Sequence, residues 1–152
     1  MLKENHKVAI YLEGHFSTDY GKMGIGVLRY LSNQIVAVID SKNNGKNTNE
    51  FNSIKRSVPI VSTLDAAVSN GAEVLILGIA PSGGKIPEAW FKVIESAISK
   101  NLSIINGLHD TLLSKYKNSL KNNQWIWDVR VPQFIPEIAS GKAAKLKNKR
   151  IL

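Results

Sequence analysis

The chain has 152 residues, 43% of them hydrophobic and 21% charged, which is typical of one soluble globular domain with a buried core. It contains no cysteine, which excludes disulfides, thiolate metal ligands and cysteine nucleophiles, and no apolar run approaches the ~20 residues that span a bilayer. The start is too polar for a secretory signal, so we expect a cytoplasmic protein that has no membrane partner.

The net charge of +8 is concentrated in the C-terminal part of the chain. Without the five positive charges there, the chain carries +3; the five residues are Lys142, Lys145, Lys147, Lys149 and Arg150. No aromatic residues alternate with these lysines, so the sequence does not indicate nucleic-acid binding. We interpret residues 133–152 as a basic linker, and a polyanion-binding tail is the alternative.

Apolar runs of strand length alternate with helical patterns along the chain. We predict strands at residues 8–12, 35–39, 59–61, 74–79, 102–105 and 125–129, separated by helices at residues 21–31, 63–70, 87–100 and 110–120. Ser62 or Thr63 should cap the second helix and Asp110 the last one. The pattern predicts an α/β fold, a Rossmann-like three-layer α/β/α domain over residues 1–132 with a mainly parallel sheet.

Ligands of such sheets bind beyond the carboxyl ends of the strands. Four predicted loops follow strands at that edge: residues 14–21, 40–46, 80–86 and 106–110. The first loop comes close to two phosphate-binding motifs without completing either. A P-loop has four residues between its first glycine and the Gly-Lys pair, whereas Gly14 and Gly21 enclose six. The dinucleotide fingerprint lacks its third glycine, because Arg29 stands there.

Other groups of the first loop nevertheless suit a ligand. Ser17 and Thr18 offer hydroxyls, Lys22 offers a charge, and a helix that starts near Gly21 would offer free N–H groups to an anion. A capped turn without a ligand is the alternative.

In the second loop, Asp40 ends an apolar strand, where a carboxylate can accept hydrogen bonds from ribose. The alternative is an aspartate that caps the turn after it. As a further alternative to the ribose contact, Lys42 and Lys46 would meet a phosphate.

The third loop reads Ala80-Pro81-Ser82-Gly83-Gly84-Lys85 and follows the most apolar strand. Adjacent glycines let the backbone approach a ligand closely or turn through positive φ. We therefore include Pro81, Ser82, Gly83 and Gly84 in the candidate cofactor site, and a plain turn is the alternative.

His109, in the fourth loop, is the weak candidate for a catalytic residue, because a histidine can act as general base. A structural role is the alternative. The three histidines of the chain lie too far apart in sequence for a metal signature, so we expect no metal in this domain.

Taken together, these segments resemble the N-terminal Rossmann-like domain of a two-domain bacterial and archaeal family of unknown function. The resemblance rests on residues 12–16 and 21–30 (L-E-G-H-F and G-K-x-x-x-G-x-L-R-Y), 36–42 (V-A-V-I-D-S-K), 58–67 (V-P-I-V-x-x-L-D-A-A), 75–87 (L-I-L-G-I-A-P-S-G-G-K-I-P), 104–113 (I-I-N-G-L-H-D-x-L) and 128–132 (D-V-R-V-P). One departure is clear: relatives often carry Thr-Ala-His after the Gly-Lys pair, and Met23-Gly24-Ile25 stand here.

Some members of this family are D-glutamate N-acetyltransferases, so the resemblance implies part of an amino-acid N-acetyltransferase that uses acetyl-CoA. It also implies a P-loop domain after this one in the same polypeptide, and an isolated N-terminal domain that is inactive. Residues 59–84 are similar to CoA-binding domains of acyl-CoA synthetases at the level of fold. The alternatives are a non-catalytic module that binds CoA or an adenine nucleotide, or assists assembly, and an NAD-dependent epimerase or dehydrogenase. The sequence leaves open whether the chain forms a homo-oligomer.

Overall fold

The computed structural model describes residues 1–51, 54–132, 134 and 141, so most of the predicted linker, residues 133–152, lies outside the described residues. The strands are β1 (Val8–Tyr11), β2 (Ile35–Ile39), β3 (Ile60–Val61), β4 (Val74–Leu77), β5 (Ser103–Asn106) and β6 (Ile126–Asp128). The helices are α1 (Lys22–Tyr30), α2 (Leu64–Ser69), α3 (Glu88–Ser99) and α4 (Leu112–Tyr116). The predicted alternation of strand and helix is confirmed.

The described strands form one parallel sheet in the order β3-β2-β1-β4-β5-β6. The order reverses between β1 and β4, where chain connections depart in opposite directions. The register pairs Tyr11 with Ile39 on one side and with Leu77 on the other, so the ends of the central strands are level. This is the topology of Rossmann-like domains, whose ligands bind in a crevice beyond the carboxyl ends of the strands where the order reverses, here β1 and β4.

The sheet is buried because its strands β1, β2 and β4 are apolar at every position. All residues of β1, β2 and β4 are buried, including Ala9, Ile10 and Leu75 with no accessible surface. Strands that are covered on both faces read as continuous apolar runs, as the sequence predicted. Helix α3 buries Trp90, Ile94 and two further apolar residues, and this packing closes one face of the sheet.

Helix α1 lies unusually close to β4, and glycines make this contact possible. The Gly24 N–H donates to the Gly78 carbonyl at 2.7 Å. A Cβ on Gly24 would stand 2.7 Å from Leu12 Cδ2, and one on Gly78 would stand 2.9 Å from Gly24 Cα. Gly24 therefore serves close packing of helix on strand, the role of the third glycine in dinucleotide-binding domains.

One predicted helix cap is confirmed and the other is wrong. Thr63 Oγ1 accepts from the Ala66 N–H at 3.2 Å and caps α2. Asp110 does not cap α4; its carboxylate turns away and accepts from the Ile86 N–H at 2.6 Å. Asp128, at the end of the adjacent β6, supplies the cap instead, and α4 ends at Tyr116, short of the predicted residue 120.

The sequence predicts no membrane-spanning segment. Within residues 1–51 and 54–132, none of the helices combines the length and apolar character that crossing a bilayer requires.

Candidate functional site

The four loops that the sequence singled out lie at one edge of the sheet. They follow β1, β2, β4 and β5, which are parallel neighbours, so their carboxyl ends face the same way. We call residues 14–21, 40–46, 80–86 and 106–110 the loop edge. The predicted placement is confirmed, whereas ligand contact by the individual residues stays a prediction.

The first loop is folded tightly onto its own backbone. Gly14 has a φ of +71°, and the Gly21 N–H donates to the Thr18 carbonyl at 3.0 Å. A Cβ on Gly21 would stand 2.2 Å from the His15 carbonyl oxygen, so Gly21 is required for the close turn. His15 Nδ1 lies 3.1 Å from Thr18 Oγ1, and Ser17 is exposed beside them.

Three of the N–H groups near the start of α1 already have acceptors. Those of Gly21, Lys22 and Gly24 donate to the carbonyls of Thr18, Asp19 and Gly78. The 3₁₀ turn Asp19–Gly21 runs directly into the helix and uses the first two donors, and Gly78 beside β4 uses the third, so an anion would find fewer free donors here than the sequence predicts. The Lys22 ammonium is exposed and lies 3.0 Å from the Asp19 carboxylate, a pair that solvent screens.

Asp40 has no accessible surface and connects two loops. Its Oδ1 accepts from the Gly14 N–H at 2.9 Å and the Lys42 N–H at 3.2 Å, and its Oδ2 accepts from Asn43 Nδ2 at 2.8 Å. The turn-capping interpretation is therefore confirmed. The ribose contact stays a prediction that would need the carboxylate to exchange one of these donors. Lys42 Nζ reaches back to the Gly14 carbonyl at 3.3 Å.

The third and fourth loops are in direct contact through Gly84 and His109. Gly83 and Gly84 have φ of +78° and +65°, a conformation that favours glycine. A Cβ on Gly84 would stand 1.9 Å from His109 Cδ2, so the imidazole lies directly on the glycine backbone. The His109 N–H also donates to the Gly84 carbonyl at 2.8 Å.

A second hydrogen bond joins the same loops, from the Ile86 N–H to Asp110 Oδ2. The two loops thus hold each other at two points. Ser82, Gly83 and the His109 side chain remain exposed to solvent, and Pro81 is half-buried. This part of the loop edge offers a hydroxyl, an imidazole and a bare glycine backbone within one surface.

The buried polar side chains of Asn106 and Asp128 hold the fourth loop in place, and they were not identified from the sequence. Asn106 has no accessible surface; its Nδ2 donates to Asp128 Oδ1 at 2.8 Å and to the Asp110 carbonyl at 2.7 Å. Asp128 accepts in addition from the Leu112 and Leu113 N–H groups. The signal in the sequence was an aspartate that ends an apolar strand, as Asp40 does.

The donor set does not form a metal centre. In the part of the chain that the structure describes, no group of three histidine, aspartate or glutamate side chains is placed to hold an ion. The chemistry of the loop edge is therefore that of hydroxyl, imidazole, ammonium and backbone groups.

With this geometry established, comparison with known proteins identifies the family. A Rossmann-like domain of unknown function, DUF1611_N, matches residues 41–132, which is more than half of the chain. The chain belongs to this family. The matched residues carry β3 to β6 and three of the four loops of the loop edge.

Two relatives of this DUF1611_N domain carry an enzyme name. A D-glutamate N-acetyltransferase from Pseudoalteromonas sp. is 37% identical over 89 residues, covering 57% of this chain and 26% of that protein. A D-glutamate N-acetyltransferase from Tritonibacter scottomollicae is 34% identical over 93 residues, covering 59% of this chain and 27% of that protein. The matched part of the chain thus spans about a quarter of these relatives' length.

A solved structure confirms the fold. The crystal structure of a DUF1611 family protein from Anabaena variabilis superposes on the chain with a TM-score of 0.85 at 39% identity. The superposition covers 93% of this chain and 42% of that one. The DUF1611_N domain is therefore less than half of the solved relative.

Proposed function

We propose that this chain is the Rossmann-like, ligand-binding part of an N-acetyltransferase that acts on D-glutamate or a similar amino acid and uses acetyl-CoA. Two relatives with this name support the proposal, at 37% and 34% identity. The P-loop domain implied by the sequence resemblance would complete the enzyme, and we expect the 152-residue chain alone to bind ligand without turnover.

The reaction makes definite demands on a site. The amine nitrogen of the amino acid attacks the thioester carbonyl, an N–C bond forms, and the C–S bond breaks to release CoA as a thiol. A base must take the proton of the ammonium group, and donors must stabilise the oxyanion of the tetrahedral intermediate. The carboxylates of a glutamate need positive charge or hydrogen-bond donors.

The contact between His109 and Gly84 is the main observation that supports the proposed location of the active site. It places an exposed imidazole on a glycine backbone beside Ser82, at a parallel sheet's carboxyl edge. A bare glycine backbone suits the close approach of a phosphate or an acyl group. We propose His109 as the base and residues 81–84 as the CoA contact, with Ser17, Thr18 and Lys42 facing them from the first two loops.

A non-catalytic module that binds CoA or an adenine nucleotide is the second candidate. The strand order β3-β2-β1-β4-β5-β6 favours it, because domains with this order bind nucleotides across the same crevice. NAD chemistry has less support, because the first loop lacks the three-glycine fingerprint and the buried Asp40 carboxylate already accepts three hydrogen bonds.

Isothermal titration of the chain with a panel of ligands tests the proposal. The panel contains acetyl-CoA, CoA, ADP, NAD, D-glutamate and N-acetyl-D-glutamate. We expect saturable binding of acetyl-CoA and CoA, weakened by Ser82→Ala. His109→Gln should leave CoA binding nearly intact, because a base acts only on the amine.

Three other patterns of ligand binding would each lead to a different conclusion. Binding of CoA and ADP with equal affinity, weakened alike by Ser82→Ala and unaffected by D-glutamate, would favour the nucleotide-binding module at the loop edge. Binding of NAD alone would contradict the acetyltransferase proposal and support an oxidoreductase. Binding of D-glutamate without any CoA ligand would show that the acetyl donor binds elsewhere in the enzyme.

A further inference from the structure

A second concave surface lies far from the loop edge, at the end of the sheet where the strands begin. It is a groove of about 650 Å³ between the end of α1 and the segment before β3, lined by Leu28, Arg29, Tyr30, Ile54, Lys55 and Arg56. We call it the basic groove. Arg56 marks its position, because its Nη2 donates to the Leu31 carbonyl at 2.8 Å, close to the start of β2.

The basic groove concentrates positive charge. Three of its six lining residues are cations, and none is acidic. Among the described residues, neither Lys55 nor Arg56 forms an ion pair with a carboxylate. The like charges of Lys55 and Arg56, which are adjacent in sequence, repel one another within the Debye length of about 8 Å at physiological salt. An anion that binds among them removes that repulsion.

Arg56 is held in place before any ligand arrives. Its guanidinium donates to the carbonyls of Leu31 and Asn33, which is a favourable position for a cation beyond the end of a helix. Two of its five N–H groups are used in this way, and the other three have no hydrogen bond to any of the residues that the structure describes. A fixed guanidinium loses little freedom on binding, which is the advantage of arginine in phosphate recognition.

The same groove has apolar and aromatic parts. Leu28 and Ile54 are buried in its floor, at 0% and 5% exposure. Tyr30 is 85% exposed at its border. A flat ring would find a stacking partner in Tyr30, with its charged substituent near Lys55 and Arg56.

We propose that the basic groove is a second ligand site, specific for a nucleoside phosphate. The base stacks on Tyr30 and covers the apolar floor, and the phosphates lie between Lys55 and Arg56. The site is separate from the loop edge and does not depend on the function proposed for it.

Calorimetric titration of the 152-residue chain with ADP and with inorganic pyrophosphate, at low salt, tests this proposal. Lys55→Glu should weaken the binding of both ligands about tenfold or more, the effect of about 1.4 kcal/mol in binding free energy. Tyr30→Ala should weaken ADP and leave pyrophosphate unchanged, because only ADP carries a ring. Arg56 is left intact, since its loss would also disturb the end of α1.

Three control variants locate the binding. Lys92→Glu, on the exposed side of α3, makes the same charge change elsewhere and should have no effect. Lys145→Glu detects non-specific binding to the C-terminal lysines. Gly84→Ala alters the loop edge and should leave ADP binding in the basic groove intact.

The contrary outcomes are equally clear. Absence of ADP binding overturns the proposal, and an acidic protein surface would then be the alternative occupant of the groove. Loss of ADP binding in Lys145→Glu, with none in Lys55→Glu, assigns the ligand to the C-terminal lysines. Loss in Gly84→Ala alone assigns the nucleotide to the loop edge, which overturns the second site and leaves the proposed function standing.

Discussion

Asp40 and Asp128 end two strands of the sheet and have similar surroundings. Each carboxylate is buried, and each accepts three hydrogen bonds, from a neighbouring loop and from the turn or helix that it caps. These donors replace the hydrogen bonds to water that the carboxylate loses when it is buried. These two residues therefore fix the position of the first and fourth loops relative to the sheet.

Removing the Asp128 carboxylate should be costly. Asp128→Ala leaves the N–H groups of Leu112 and Leu113 and the Asn106 amide without their acceptor, so we expect a loss of about 3 kcal/mol in unfolding free energy. Asp110→Ala, the matched control, removes a single acceptor in a half-buried loop and should cost about 1 kcal/mol. Urea unfolding measures both; equal losses would contradict the assignment of the cap to Asp128.

Alanine substitutions at the adjacent glycines of the third loop distinguish the effect of backbone strain from the effect of the contact with His109. Both have positive φ, so alanine at either should cost about 1 kcal/mol. Only Gly84 lies against His109, whereas a Cβ on Gly83 meets nothing within 4 Å. Gly84→Ala should therefore displace the imidazole as well. The His109 ring resonances in NMR spectra should move in Gly84→Ala and stay in Gly83→Ala; the same shift in both would show that the contact is absent in solution.

Tyr11 predicts a pH dependence of stability. Burial and the nearby Glu13 carboxylate raise the pKa of Tyr11 to about 12, above its ordinary value of 10.0. The folded state therefore holds this proton more tightly than the unfolded state, so the contribution is full below pH 10 and is lost as the pH rises toward 12. The unfolding free energy of Tyr11→Phe should fall less steeply than that of the unchanged chain between pH 10 and 12; parallel curves would contradict this.

At the scale of elements, α1 shows why the first loop resembles a phosphate-binding motif. Gly21 and Gly24 stand where a Cβ would clash, with the His15 carbonyl and with Leu12, so packing alone accounts for both. Gly26 lies on the same helix with nothing within 4 Å of a Cβ. The glycine-rich sequence is thus mainly a consequence of how closely α1 approaches β1 and β4.

Gly24 and Gly26, which both lie in α1, allow a direct test of this explanation. Gly26→Ala should raise the unfolding free energy by about 0.8–1 kcal/mol, because alanine has the higher helix propensity and meets no obstacle. Gly24→Ala should lower it by about 1–3 kcal/mol, since Leu12 and the Gly78 carbonyl would have to move. Thermal unfolding measures both, and stabilisation by Gly24→Ala would show that the helix can retreat from the sheet.

Most elements could be predicted from the sequence, and the failures have physical causes. Strands β2 and β4 are continuous β-branched and leucine runs, which few other structures accommodate. Helix α4 was predicted too long because its pattern does not show where the chain turns. Its cap was misassigned because Asp128 is distant in sequence and only the β5–β6 pairing brings it near. The contact between Gly84 and His109 depends on tertiary structure in the same way.

At the scale of the whole molecule, the sheet separates two surfaces of different chemistry. The loop edge carries hydroxyls, an imidazole and glycine backbone at the carboxyl ends of the strands. The basic groove carries three cations and an exposed tyrosine at the opposite end. The solved relative is more than twice as long as the part that superposes.

The affinity of the chain for acetyl-CoA, compared between Gly83→Ala and Gly84→Ala, tests the central claim most directly. Both variants carry the same backbone strain, and only the second displaces the fourth loop from residues 81–84, the proposed CoA contact. We predict that calorimetry finds binding to the unchanged chain, a small loss in Gly83→Ala, and about tenfold or greater loss in Gly84→Ala. Equal affinity in all three proteins, or no binding of acetyl-CoA to any of them, would contradict a ligand site at the loop edge.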